Sequence, residues 1–449
     1  MKTVYKNIID YELLTTYDIK HLKDILVLPI KNEGLYLECF VCDESRADNL
    51  ETKYLLRKHQ LDKNEILFFL DDIETRAKLF KLFKHCMDER KLNSQHIEEF
   101  IDILLQKAIT LRTSDIHIEG LETSMCIRFR IDGVLKVFYV FEKEFFKVIS
   151  SFLKMKSKLD ITQYRLPLDG AFSIYIKEKK YDFRFSSMPT ILGESIVIRV
   201  LDSKRVKKDL KTLGFSKDFF TKFEKILKLN QGLVLISGPT GAGKSTTLYS
   251  MIEVLNKQNK KIVTIEDPVE YKIEQIQQIN IEEEIGLSFD RVLKNILRQD
   301  PDIILIGEIR DAYSLKIALQ ASLTGHIVFA SIHANNSIET LFRLIDLDAN
   351  SYLLSSTLKF IISQRLVLKL CECNKKGCSR CNFTNYHGRI IISEMLEIDT
   401  TISSFILKQN SLDEISRYLE KQSFKTMLDD GKEKVQNNLT TLDEVLKVL

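Results

Sequence analysis

Leu233-Val234-Leu235-Ile236-Ser237 runs directly into Gly238-Pro239-Thr240-Gly241-Ala242-Gly243-Lys244-Ser245-Thr246, and this stretch decides the fold. It has the form G-x-x-x-x-G-K-S, entered from a short apolar strand and left through a helix-like segment at residues 247–255. Glycines at these spacings let successive backbone N–H groups turn inward around the β- and γ-phosphates of a nucleotide, and the following helix N-terminus adds a favourable dipole. Lys244 then reaches the phosphate oxygens, while the Ser245 hydroxyl is placed to hold Mg²⁺. The bland alternative is a Gly-rich turn that binds nothing. Strand, loop, Lys and Ser standing in register weigh against it.

A phosphate cradle says only "nucleotide". Downstream, Ile262-Val263-Thr264-Ile265 ends in Glu266-Asp267-Pro268-Val269-Glu270, and Ile303-Ile304-Leu305-Ile306 ends in Gly307-Glu308-Ile309-Arg310-Asp311. Ile327-Val328-Phe329-Ala330-Ser331-Ile332 ends in His333-Ala334-Asn335. Continuous apolar runs of this length fit strands covered on both faces. Each delivers a polar group to its C-terminal end, where ligands sit in open parallel α/β sheets. One carboxylate after a strand is usually a helix cap, but this set beside a phosphate loop reads as a site.

Arg298-Gln299-Asp300-Pro301-Asp302, followed by Gly307-Glu308-Ile309-Arg310-Asp311, resembles the Walker B region of the type II secretion and type IV pilus assembly ATPases, also used in competence. The run from Glu266 to Glu270 is similar to that family's Asp box, and Thr324-Gly325-His326 through His333-Ala334-Asn335 to its His box. Upstream, Ser114-Asp115-Ile116-His117-Ile118-Glu119, Arg128-Phe129-Arg130-Ile131-Asp132-Gly133-Val134 and Arg165-Leu166-Pro167-Leu168-Asp169-Gly170 resemble the smaller domain that precedes the motor. Asp430-Gly431 and Thr440-Thr441-Leu442-Asp443-Glu444-Val445 resemble the closing helices, so the likeness covers residues 95–449. Leu168, Ala171 and Ser195 depart from the family's usual Gln, Arg and basic residue. None of the three touches the phosphate loop.

The resemblance implies an α/β chain: a RecA-like P-loop motor with a zinc-binding insertion, preceded by an α+β (PAS-like) domain and a small N-terminal adaptor. The expected domains are residues 1–88, 89–205 and 206–449, with the insertion at about 366–390. It further implies an ATP-hydrolysing cytoplasmic motor that powers assembly of a type II pseudopilus, a type IV pilus or a competence filament. ATP and Mg²⁺ are expected on residues 238–246, with Glu266 polarising the attacking water and Glu308 organising Mg²⁺ and its waters. The two carboxylates can exchange these roles. His333 is expected to sense the γ-phosphate. Arg184 and Arg199 match arginines that approach the γ-phosphate in this family, although their pattern alone reads as an ordinary surface pair. A homo-hexameric ring is implied, held peripherally at the inner membrane by platform and docking proteins. Two rivals stand beside this reading: a retraction- or conjugation-type ATPase, and a nucleotide-binding scaffold without turnover.

Composition agrees. A chain of 449 residues is too long for one core. Its 66 Lys+Arg against 63 Asp+Glu leave a net charge of only +3, without the strongly basic footprint of a nucleic-acid binder, so no direct nucleic-acid partner is expected. No segment approaches the roughly 18 consecutive apolar residues of a membrane span. Met1-Lys2-Thr3-Val4-Tyr5-Lys6-Asn7 lacks the apolar core of a secretory signal, which predicts a cytoplasmic chain.

Residues 1–88 mix strand-like runs at 25–29 and 35–41 with a helical stretch at 73–83. Ile97, Phe100, Ile101, Leu104, Leu105 and Ala108 have helical spacing and open the second domain. Strands at 125–134, 172–176 and 181–185 predict an antiparallel sheet there, closed by 196–201. The Lys-rich residues 203–213 read as a hinge.

The eight cysteines divide into two groups. Cys371-Glu372-Cys373 and Cys378-Ser379-Arg380-Cys381 sit in a Lys/Asn/Gly-rich loop, a poor place to bury thiols for packing. Intracellular clusters at this spacing favour a metal over a disulfide, and four thiolates suit tetrahedral Zn²⁺. Cys39, Cys42, Cys86 and Cys126 sit in apolar surroundings and read as packing residues. His387, close to the cluster, reads as a loop histidine rather than a ligand.

Overall fold

The apolar runs that follow the phosphate loop have no polar face to give to water, so they pair with one another and are covered on both sides. The computed structural model describes residues 7–88, 94–176, 178–201, 209–256 and 259–449. The chain divides into two compact units. The first holds the described residues up to 201 together with Cys371–His387. The second holds the described residues of Ser203–Leu370 with Gly388–Leu449.

The first unit begins with a three-stranded sheet of β1 (Val27–Glu33), β2 (Tyr36–Val41) and β3 (Leu55–Gln60). The helices Ile73–Met87 and Ser94–Thr110 follow. Every apolar position of the predicted stripe from Ile97 to Ala108 is buried. A six-stranded antiparallel sheet comes next: β4 (Thr113–Gly120), β5 (Ser124–Ile131), β6 (Val134–Glu142), β7 (Leu168–Ile176), β8 (Lys179–Thr190) and β9 (Gly193–Leu201), in the order β6-β5-β4-β9-β8-β7. The strand expected at 125–134 stops at Ile131, because Asp132 and Gly133 both take positive φ (51° and 91°) and reverse the chain. Buried residues from both sheets and the helices join one hydrophobic core. Arg76 is inside it, donating to the Phe138 and Phe68 carbonyls and to the Tyr11 hydroxyl, so its charge is met by oxygens.

The second unit is built on a seven-stranded sheet of β10 (Gly232–Ser237), β11 (Ile262–Glu266), β12 (Gln277–Asn280), β13 (Ile303–Ile306), β14 (Ile327–Ile332), β15 (Leu358–Leu370) and β16 (Tyr386–Glu397). Their order is β12-β11-β13-β14-β10-β15-β16, and the pairs from β12 to β15 are parallel. The sheet runs out from the phosphate-loop strand β10, with β14 inserted between it and β13. This is the expected RecA-like arrangement. Apolar clusters cover the sheet on its two faces, one carrying Leu233 and Leu235 and the other Val234 and Ile236 of the same strand.

Of the residues read as a hinge, 203–208 lie outside the described residues, and so do residues 1–6 and the expected domain boundaries at 88/89 and 205/206. Leu210 and Leu213 are buried in the second unit. Apolar side chains at these two positions pack against the sheet rather than leaving the chain free. No helix among the described residues is long and apolar enough to cross a membrane.

Candidate active site

The glycines of the loop are required by its geometry. Gly238 (φ 153°), Gly241 (φ 80°) and Gly243 (φ 85°) all lie on the positive side, and a Cβ on Gly238 would stand 2.6 Å from the Gln364 carbonyl oxygen. Gly243 precedes the helix Lys244–Leu255, whose first turn carries Lys244, Ser245 and Thr246. Ser245 and Thr240 face solvent. Lys244 Nζ donates to the Gly238 and Pro239 carbonyls at 2.7 and 3.1 Å. Partial burial holds its pKa below the ordinary lysine value, with the Glu308 charge acting in the opposite direction. The ammonium therefore sits over the loop with two neutral backbone carbonyls as its acceptors.

Parallel pairing brings the ends of β13 and β14 side by side. Glu308, just past β13, lies 3.0 Å from His333 Nε2, just past β14, and accepts from Arg310 Nε at 3.0 Å. Asp267 stands 3.7 Å from the other side of Arg310. Ser331 Oγ donates to the Gly307 carbonyl at 2.6 Å, and Ile309 N donates to the Ser331 carbonyl, which locks the two strand ends together. A cavity of about 500 Å³ opens beside this point, lined by Pro239 of the loop, by His333 and Asn335, and by Glu339 and Arg343 of the helix Ser337–Asp346.

Glu266 is different. It is 5% exposed, and both oxygens are occupied by neutral donors: Oε2 by the Tyr249 hydroxyl, Oε1 by Thr264 Oγ1 at 2.6 Å and Gln278 Nε2 at 3.2 Å. Burial pushes its carboxyl up to about 7, against the Gln278 hydrogen bond and with the Glu270 charge adding to the rise. Tyr249, Thr264 and Gln278 carried no signal in the sequence, since none belongs to the Glu266–Glu270 motif.

The remaining expected residues lie in the first unit. Arg184 and Arg199 are directly opposed across β8 and β9, both exposed. Each follows an inward apolar residue (Phe183, Ile198), so strand alternation turns it outward. Arg199 Nε donates to Asp115 Oδ1 at 3.0 Å. Like charges placed opposite one another cost stability, and the Asp115 carboxylate beside Arg199 offsets part of that cost.

The Cys371, Cys373, Cys378 and Cys381 sulfurs all lie within 4.8 Å of one another. The close pairs are 3.8 Å (Cys371–Cys378), 3.9 Å (Cys373–Cys381) and 3.7 Å (Cys378–Cys381). A tetrahedron with Zn–S bonds of about 2.3 Å has an edge of about 3.8 Å, so the sulfurs fit the ion. His387 is not part of the group, since its Nε2 lies 2.5 Å from Arg112 Nη2. Cys39, Cys86 and Cys126 are buried and Cys42 half-buried, as packing residues should be.

A phosphate loop, an acidic strand end beside it and a central parallel sheet define a P-loop nucleotide-binding protein. More particularly, residues 90–447 match the model of the Type II/IV secretion system protein family, and the chain belongs to that family. It is 35% identical over 450 residues to the type II secretion system ATPase E of Vibrio cholerae, covering 93% of this chain and 89% of that one. With type II secretion system protein E of Xanthomonas campestris it shares 38% identity over 376 residues, 78% of this chain and 66% of that one. Among solved structures it is similar to the pilus retraction motor PilT with bound ADP, at a TM-score of 0.56 and 27% identity, over 77% of this chain and 96% of that one.

The Glu266 environment sets a pH dependence. Its folded pKa near 7 lies above the ordinary 4.5, so the fold holds this proton more tightly than the unfolded chain does. That contribution is complete below about 4.5 and is lost as pH rises through about 7. Wild-type protein should therefore lose stability relative to Glu266→Gln between these limits, by at most about 3 kcal/mol. Denaturant midpoints of the two proteins across pH 4.5–7.5 check this, and a flat difference refutes it.

Proposed function

We propose that this protein is the ATP-hydrolysing motor of a type II secretion machine, working at the cytoplasmic face of the inner membrane. The observation that carries the reading is the convergence of the Lys244–Ser245 loop with the Glu308–His333 pair at neighbouring strand ends. Family membership and ATPase-named relatives support it. Hydrolysis of a phosphoanhydride asks little covalent chemistry of the protein, so positioning and charge carry the rate. The loop amides and Lys244 bind the phosphates. Ser245 and Glu308 would hold Mg²⁺, which supplies charge neutralisation between the β- and γ-phosphates. Glu308, half-exposed and 3.0 Å from His333 Nε2, reports the occupancy of this end of the site to the segment after β14. Glu266, buried and near neutrality, serves as the proton acceptor for the attacking water once Tyr249 or Gln278 yields its place.

Arg184 and Arg199 belong to the other unit, and we assign them to the γ-phosphate in a homo-hexameric ring. The four cysteines hold one structural zinc, since four thiolates leave no open position for water or substrate. The knuckle also favours a secretion or assembly motor over a retraction motor, despite the likeness to PilT. Docking proteins and an inner-membrane platform are the expected partners.

Turnover assays test the chemistry. Lys244→Ala should abolish hydrolysis and weaken ATP binding, whereas Glu308→Gln should keep ATP bound while turnover collapses. Near wild-type hydrolysis by Glu308→Gln refutes the role given to that carboxylate. For the ring, sedimentation in ATP should read a hexamer, and monomer alone with full activity contradicts it. Elemental analysis of protein purified without added metal or chelator should find one zinc per chain. Less than one per several chains removes the metal assignment.

A further inference from the structure

Three successive residues of β15 form the floor of the phosphate loop, and none belongs to a nucleotide motif. Ser363 Oγ lies 2.5 Å from Ser237 Oγ, at the point where β10 becomes the loop. Gln364 comes 122 residues after Ala242, yet its Nε2 donates to the Ala242 carbonyl at 2.8 Å. Its Oε1 accepts from Thr247 Oγ1 at 2.9 Å. A carbonyl can only accept, so the amide NH₂ must face Ala242, and that turns the amide oxygen to the Thr247 hydroxyl. Arg365 continues the row, donating from Nη2 to the Asn335 carbonyl at 2.8 Å, beside His333. Gln364 and Thr247 are fully buried.

The two bonds of Gln364 straddle Gly243, the left-handed residue at which loop becomes helix. Its own carbonyl stands against the loop's other end, where a Cβ on position 238 would come within 2.6 Å of it. With glycine at 238, 241 and 243, the loop has few restraints of its own. An unrestrained loop would spend part of its time with the N–H groups pointing away, and apparent affinity falls by the fraction of time spent competent.

We infer that Gln364 is a positioning residue for nucleotide binding: its amide holds the phosphate loop and the first turn of the following helix in the binding arrangement before ATP arrives. It acts through Ala242 and Thr247 and does not itself touch the nucleotide. The inference rests on the proposed ATP-binding function of the same loop.

The experiment uses the full-length chain and a fluorescent ADP analogue as probe, with ATP turnover measured in parallel. Gln364→Leu and Thr247→Val should each raise the dissociation constant about tenfold or more. KM for ATP should rise by a similar factor with kcat within about threefold, because the loop is restrained by the nucleotide itself once filled. Thr247→Ser keeps the donor and should stay within about threefold of wild type. Thr247→Val is nearly isosteric, so the Thr247 pair carries the test even where Gln364→Leu fails to fold. Dissociation constants unchanged in Gln364→Leu and Thr247→Val overturn the inference. So does a Thr247→Ser protein weakened as much as Thr247→Val, which would place the effect in methyl packing. Failure of wild-type protein to bind the probe sinks the ATPase reading instead, so the two failures are distinguishable.

Discussion

Parallel strands end at the same edge of a sheet, and the second unit depends on that constraint. Because β10, β14 and β13 are neighbours and parallel, three segments far apart in the chain deliver Lys244, His333 and Glu308 to one edge. The strands themselves are almost wholly buried on both faces, so register is held by apolar packing rather than by polar pairs. A slip of one residue in β13 would turn Ile304 and Ile306 to the wrong apolar cluster and carry Glu308 away from His333. Geometry at the site is therefore fixed by hydrophobic burial some distance from it.

Legibility followed locality. The loop, its entering strand and the polar strand ends could be read because each is a contiguous motif whose chemistry demands those residue types. Strand alternation even gave the outward direction of Arg184 and Arg199. Gln364 and Arg365 could not be read, since their partners lie on the phosphate loop, the helix that follows it and the segment after β14. Tyr249 looked like an ordinary helical apolar residue until the fold placed its hydroxyl on Glu266. The strand read through to residue 134 failed for a local reason: apolar residues continue on both sides of Asp132-Gly133, and only the left-handed pair between them marks the turn.

The two carboxylates next to the loop show how environment separates chemically identical groups. Glu308 has an arginine and a histidine beside it and partial access to water. Glu266 sees only neutral donors inside a closed pocket, conditions that bring its proton affinity near neutrality. The two carboxylates therefore stand in different surroundings at one end of the sheet, one buried and one half-exposed. The sequence reading left the two roles exchangeable, and burial of Glu266 is the difference on which the proposed assignment rests.

The cysteine loop shows a similar economy. It interrupts β15 and β16 of the second unit, yet Cys371–His387 packs as part of the first. Lys136 Nζ donates to the Asn382 carbonyl at 2.9 Å, Ser379 Oγ to Asp71 Oδ1 at 2.9 Å, and Phe383 joins the first unit's core. Burial pulls the Lys136 pKa down to about 8, with the Glu65 charge acting in the opposite direction. Apart from Phe383 and the cysteines, this segment has little apolar surface of its own to drive such packing. Four thiolates around one cation would supply cross-links there, next to Asn382 and Phe383, which both take positive φ. A metal held there would shape the loop, while the contacts of Ser379, Asn382 and Phe383 seat the loop in the first unit.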